Sequence, residues 1–152
     1  MQSFFGLVVL TFVLVFIPQA VIINLSFFNI VQTLVIFILA LFLSFYFRML
    51  AGISAFWLTD YSGFEQLLSI IILLLAGLIM PVDFFPEPIK QLALITPFPY
   101  MIYYPVISLQ GKLPHNQLVP VLAVQLLWIT LFKFFFNYFW DKGLRKFAGV
   151  GN

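Results

Sequence analysis

The chain has 152 residues, 64% hydrophobic and 20% aromatic, with only 8% charged and a formal net charge of +2. Soluble domains are about half apolar and a quarter charged, so this composition excludes a fold surrounded by water and puts the chain in a bilayer. The absence of Cys excludes disulfides and thiolate chemistry, and a small net charge, mostly in the C-terminal tail, excludes nucleic acid as a partner.

No ionisable side chain occurs from Met1 to Phe47, a run about twice the ~20 residues needed for one crossing. Its polar interruption at Asn24, Ser26 and Asn29 predicts a first span over residues 4–23 and a second over 28–50. Pro18 should kink the first or sit near its end. A signal peptide does not fit, because there is no basic n-region, the run is too long, and no small-residue cleavage site follows. Glu65 and Asp83 bound a third span over 65–82, and a fourth over 117–140 should stop at Asp141-Lys142-Gly143. Leu67 to Met80 is apolar throughout except for Ser69, unlike the alternation of a barrel strand. Residues 1–152 therefore read as one all-α transmembrane domain of four helices.

Lys142, Arg145 and Lys146 follow the last span closely, which puts the C-terminus in the cytoplasm by the positive-inside rule. An even number of spans puts Met1 there too, with Arg48 beside the cytoplasmic 51–63 connection. These basic residues should anchor the cytoplasmic ends, and Lys90 and Lys112 fall on the opposite face.

Residues 81–114 are neither span nor ordinary loop. Seven of the nine Pro residues lie there: Pro81, Pro86, Pro88, Pro97, Pro99, Pro105 and Pro114. They cut the segment into pieces too short to cross, yet Phe84, Phe85, Phe98, Tyr100, Tyr103 and Tyr104 would be costly in water. Pro88 suits the first turn of a helix and Glu87 its positive end. Ile89, Leu92, Ala93 and Thr96 should mark one face, and a second helix over 99–110 should stop at Gln110-Gly111-Lys112. Short apolar helices joined at Pro predict a re-entrant or interfacial hairpin over 84–110, between the third and fourth spans. The plainer reading is an aromatic belt at the membrane surface.

The residues for chemistry are mostly missing. Gly111-Lys112 precedes Leu113 and lacks the glycines of a nucleotide loop. His115 has no second His and no nearby acid, so no metal or other cofactor is expected, and no nucleophile has a base. Every acid lies at or beyond a span end, which argues against a proton- or sodium-driven carrier. Lys133 should snorkel, and Arg48 either does the same or pairs with Asp60 or Glu65. Ala51, Gly52, Ser54 and Ala55, with Ala76-Gly77, offer a close-packing seam. Gln125, Thr130 and Asn137 should either link helices, the favoured reading, or face a polar cavity.

From Phe56 onward the order of features resembles the C-terminal half of an ATP-binding-cassette type-2 permease, of the bacterial six-span exporter kind. The matching pieces are Phe56-Trp57-Leu58-Thr59-Asp60, Gly77-Leu78-Ile79-Met80-Pro81, Phe84-Phe85-Pro86, Pro97-Phe98, Tyr103-Tyr104-Pro105 and Gly111-Lys112-Leu113. Trp140-Asp141-Lys142-Gly143-Leu144-Arg145-Lys146-Phe147 closes the series. Residues 1–55 agree in span pattern alone. The resemblance implies a permease in the bacterial inner membrane that pairs with a second permease copy or paralogue and with two separate ABC ATPase subunits. It implies no catalysis by this chain. Pro81, Phe84, Phe85, Pro86, Pro97, Phe98, Tyr100, Tyr103, Tyr104 and Pro105 would then form an outer gate. Because such permeases have six spans, four spans here imply a C-terminal fragment, a split gene product or a degraded copy, and the alternative role is a non-transporting membrane scaffold or an inactive permease fragment. The aromatic lining suits lipids or amphipathic drugs, or simply faces acyl chains.

Overall fold

The computed structural model describes residues 26–148 apart from 57, 59 and 60, with the backbone alone for 144–148. The expected first span, 4–23 with Pro18, lies outside the described residues. So does Asp60. Among the described residues every regular element is helical.

Helix α1, Phe27–Ile53, covers the expected second span. Its 27 residues rise about 40 Å, enough to cross the hydrocarbon. Helix α2, Tyr61–Leu75, has 15 residues and rises about 22 Å, short of a 30 Å core. The third span was expected to run to residue 82. It stops early because the chain turns at Ala76-Gly77, where Gly77 has φ +81, a conformation that a Cβ disfavours. A Cβ there would also lie 3.2 Å from Val82 Cγ2 and 3.4 Å from Tyr103 Cβ.

Three short helices follow rather than the two expected: α3 (Glu87–Ile95), α4 (Phe98–Met101) and α5 (Tyr103–Leu109). Pro88 and Pro99 each sit in a first turn, where the missing N–H costs nothing. The extra break falls at Ile102 because Pro105 has no N–H for the Met101 carbonyl, and its ring would crowd that carbonyl. The helix α5 ends at Gln110-Gly111 as expected, with Gly111 at φ +68. The face expected on α3 is displaced. Ala93 is buried, but Ile89 and Leu92 are 47% and 58% exposed, and half-buried Lys90 turns inward instead.

Helix α6, His115–Ala148, has 34 residues. The apolar stretch ends at Asp141-Lys142-Gly143 as expected, but the helix runs on past it. Gly143 instead lets α6 pass tightly against Phe56, since a Cβ there would meet the ring at 2.5 Å. Lys142 to Lys146 are thus a helical extension, not a tail beyond the helix.

Helices α1 and α6 run parallel and in step. Phe28 meets His115 edge-on at 4.9 Å, Phe47 meets Phe132 at 5.6 Å, and Phe56 meets Trp140 at 6.2 Å. Helix α2 runs back the other way at the periphery, its start near Arg48 and its end against the short helices. The shared core joins Ile36 and Leu43 of α1, Ala76, Phe98, Tyr100, Met101 and Leu113, with Val121 and Phe132 of α6. Of the expected small-residue seam, Ala76 is fully buried, while a Cβ on Gly52 would touch nothing. The apolar windows of α1 and α6 are only 22% and 17% buried. Core helices of a soluble fold would be covered, so these faces require lipid or another apolar surface.

Candidate functional site

The proline-broken segment packs beside the α1–α6 pair, mainly along α1, and turns back. Ser108 lies beside the early part of α1, where its Oγ is 3.0 Å from Thr33 Oγ1 and accepts from Gln32 Nε2 at 3.4 Å. Phe98, at the far end of the segment, stands edge-on to Phe47 with ring centroids 5.6 Å apart. Gln32 and Phe47 are separated by about 22 Å of helical rise. The segment therefore reaches deep along the bundle without crossing it.

Its inner end is held by a polar clasp. Gln125 of α6 is fully buried, and its Nε2 donates to the Tyr100 carbonyl at 3.0 Å and to the Ile36 carbonyl at 3.2 Å. Tyr100 belongs to the four-residue α4, whose last carbonyls have no intrahelical donor. The Gln125 amide supplies one. Tyr100 itself donates its hydroxyl to the Leu94 carbonyl at 3.1 Å and stacks on Tyr104 at 4.7 Å.

The outer end is charged. Asp83, in the 3-10 turn Val82–Phe84, accepts from the Tyr103 hydroxyl at 2.5 Å and lies 3.7 Å from Lys90 Nζ. Burial, followed by the bond to Asp83 and its charge, raises the Tyr103 pKa well above the ordinary phenol value. The hydroxyl thus stays protonated and remains the donor. A pocket of about 130 Å³ is lined here by Asp83, Lys90, Tyr103, Tyr104 and Gln117.

The ten expected gate residues divide. Pro97, Phe98, Tyr100 and Pro105 are buried, as is Tyr103, with Tyr104 half-buried beside them. Half-buried Phe85 packs in one cluster with Tyr103 and Tyr104, whereas Pro81, Phe84 and Pro86 are exposed. Of the expected anchors, Arg48 is exposed at the α6 C-terminal end of the bundle and lines a cleft of about 130 Å³ with Glu65, yet no ion pair joins the two. Lys142 is exposed over the Tyr138 ring, 4.1 Å from its centroid. Arg145 and Lys146 lie in the stretch described by backbone alone.

Gln125 links helices as expected. Thr130 does not, since it donates to Leu126 of its own helix at 2.8 Å, and Asn137 is exposed. Gln32, Thr33 and Ser108 were missed. Their signal was available, because Gln32-Thr33 is a polar pair inside an otherwise apolar run.

Two long, apolar, largely uncovered helices with a proline-broken segment packed beside them are the helices of a membrane protein. The chain matches the family described as ABC-2 family transporter protein over residues 1–151 and belongs to that family. It is a membrane permease component of an ABC transporter. The match extends through residues 1–55, where the motifs quoted above gave no footing beyond span pattern. No curated relative and no solved structure matches the chain.

Proposed function

We propose that the chain is a permease subunit of an ATP-driven exporter in the bacterial inner membrane. Residues 1–152 form one domain of four spans with both termini cytoplasmic, and the hairpin enters from the outside as an apolar outer gate. Separate ABC ATPases and a second permease copy or paralogue complete the machine. Closure of the ATPases reshapes the cavity between permeases and expels the cargo.

The observation that carries this reading is the parallel packing of α1 and α6 with the proline-broken segment folded back beside them. Parallel spans need a return crossing between them, and the stretch from α2 to Pro81 is the candidate for it. Charge supports the orientation. Arg48, Lys133, Lys142, Arg145 and Lys146 follow the α6 C-terminal half of the bundle, whereas Lys90 and Lys112 belong to the opposite end.

The test is capture of tagged protein in mild detergent. An ATPase subunit should co-purify, and the permease should stimulate vanadate-sensitive ATP hydrolysis. A chain that brings down no ATPase and stimulates no hydrolysis is a scaffold, and the exporter reading is lost.

A further inference from the structure

Gln125 is fully buried and Gln32 is 5% exposed, yet Oε1 of each has no hydrogen-bond donor. The orientation of Gln125 is fixed, because both its partners are carbonyl oxygens and only its nitrogen can face them. Gln32 faces a hydroxyl that can donate or accept. Turning its amide would satisfy the oxygen but strand a buried NH2 group instead. A buried carbonyl without a donor is destabilising, and acyl chains offer none.

One of Thr33 and Ser108 donates to the other at 3.0 Å, and neither hydroxyl is placed to donate to Gln32 Oε1 or Gln125 Oε1. A metal cation is a poor occupant, because two neutral amide oxygens and no carboxylate cannot replace its hydration shell. Water is a neutral donor of the size such buried amide oxygens ordinarily take. Gln32 and Ile36 lie four residues apart on the same face of α1, about 6 Å of rise, and Gln125 is bonded to Ile36, so the two oxygens belong to one stretch of the seam.

We propose that one or two ordered waters occupy the seam between α1, the hairpin and α6, and donate to Gln32 Oε1 and Gln125 Oε1. They complete a polar strip from Thr33 and Ser108 down to the Tyr100 carbonyl, along the surface where the hairpin meets α1. The site depends neither on the membrane orientation nor on an ATPase partner.

Millisecond X-ray footprinting of the protein in lipid nanodiscs tests this, with water itself as the probe. Radicals formed from internal water oxidise the side chains around it. Tyr100 and Met101, 6% and 9% exposed, should be oxidised in the wild type. Gln32→Leu keeps the Gln125 clasp and should lower that oxidation about threefold or more, with the loss of one of the two acceptors that hold the water. Oxidation of Trp140, 40% exposed near the end of α6, should not change. Where Q32L does not accumulate, Gln32→Val, which also leaves the Gln125 clasp in place, should give the same loss. Wild-type protein unoxidised at Tyr100 and Met101 overturns the proposal, and so does equal oxidation in wild type and variant.

Discussion

Phe98 lies edge-on to Phe47, with ring centroids 5.6 Å apart and planes at 87°. Phe47 in turn meets Phe132, which meets Trp128 at 5.3 Å, so Phe98 joins an aromatic cluster shared by the two parallel helices. In water, Phe→Ala at a buried site costs about 3–5 kcal/mol. In lipid the transfer term largely vanishes and packing alone is lost. Phe98→Ala should therefore cost about 1–3 kcal/mol, read as a lower midpoint of denaturant unfolding in detergent micelles.

The passage of α6 past Phe56 at Gly143 admits no side chain. Gly143→Ala would gain about 1 kcal/mol of helix propensity. The 2.5 Å approach to the Phe56 ring should outweigh that gain, leaving a net loss of about 1 kcal/mol. Adding Phe56→Ala removes the obstacle. A double-mutant cycle on thermal stability should show G143A neutral or stabilising in that background.

The Gln125 clasp and the Asp83 contacts differ in weight. Gln125→Leu leaves the Tyr100 carbonyl without a donor in apolar surroundings and should cost about 1–2 kcal/mol, the upper range for hydrogen bonds between membrane helices. Limited proteolysis within residues 96–102 should become faster.

At the outer end, the buried Tyr103 hydroxyl donates to a carboxylate, whereas Lys90 approaches it at 3.7 Å from a partly exposed position. Tyr103→Phe should cost about 1 kcal/mol and Lys90→Ala less than about half that. Stability measured at low and high salt should differ for the lysine variant and not for the tyrosine variant.

The apolar spans and the prolines were legible because each carries a physical rule. Uncharged length dictates α1 and α6, and Pro88, Pro99 and Gly111 fix helix starts and stops in the hairpin. The shortened α2 was not legible, since Leu78, Ile79 and Met80 continue the apolar pattern and Gly77 alone hides the turn. Gly143 ends the apolar stretch but not the helix, which continues because the glycine serves here for close contact with Phe56. Phe84 and Phe98 are alike in composition, and only the fold separates the exposed ring from the buried one. Likewise Gln125 was visible as a polar residue in a span, but its partner carbonyl exists only because Pro105 breaks the hairpin at Ile102.

The chain has no native Cys, so single-cysteine variants report cleanly. The account rests on the hairpin entering from the side opposite residue 142 and turning back at residue 98. Impermeant maleimide, applied to intact cells and to inverted vesicles carrying Cys at 90, 98, 112 or 142, tests it most directly. Positions 90 and 112 should label from the outside, 142 from the cytoplasm, and 98 from neither. Labelling of 98 from the same compartment as 142, or of 90 and 112 from opposite compartments, would contradict it.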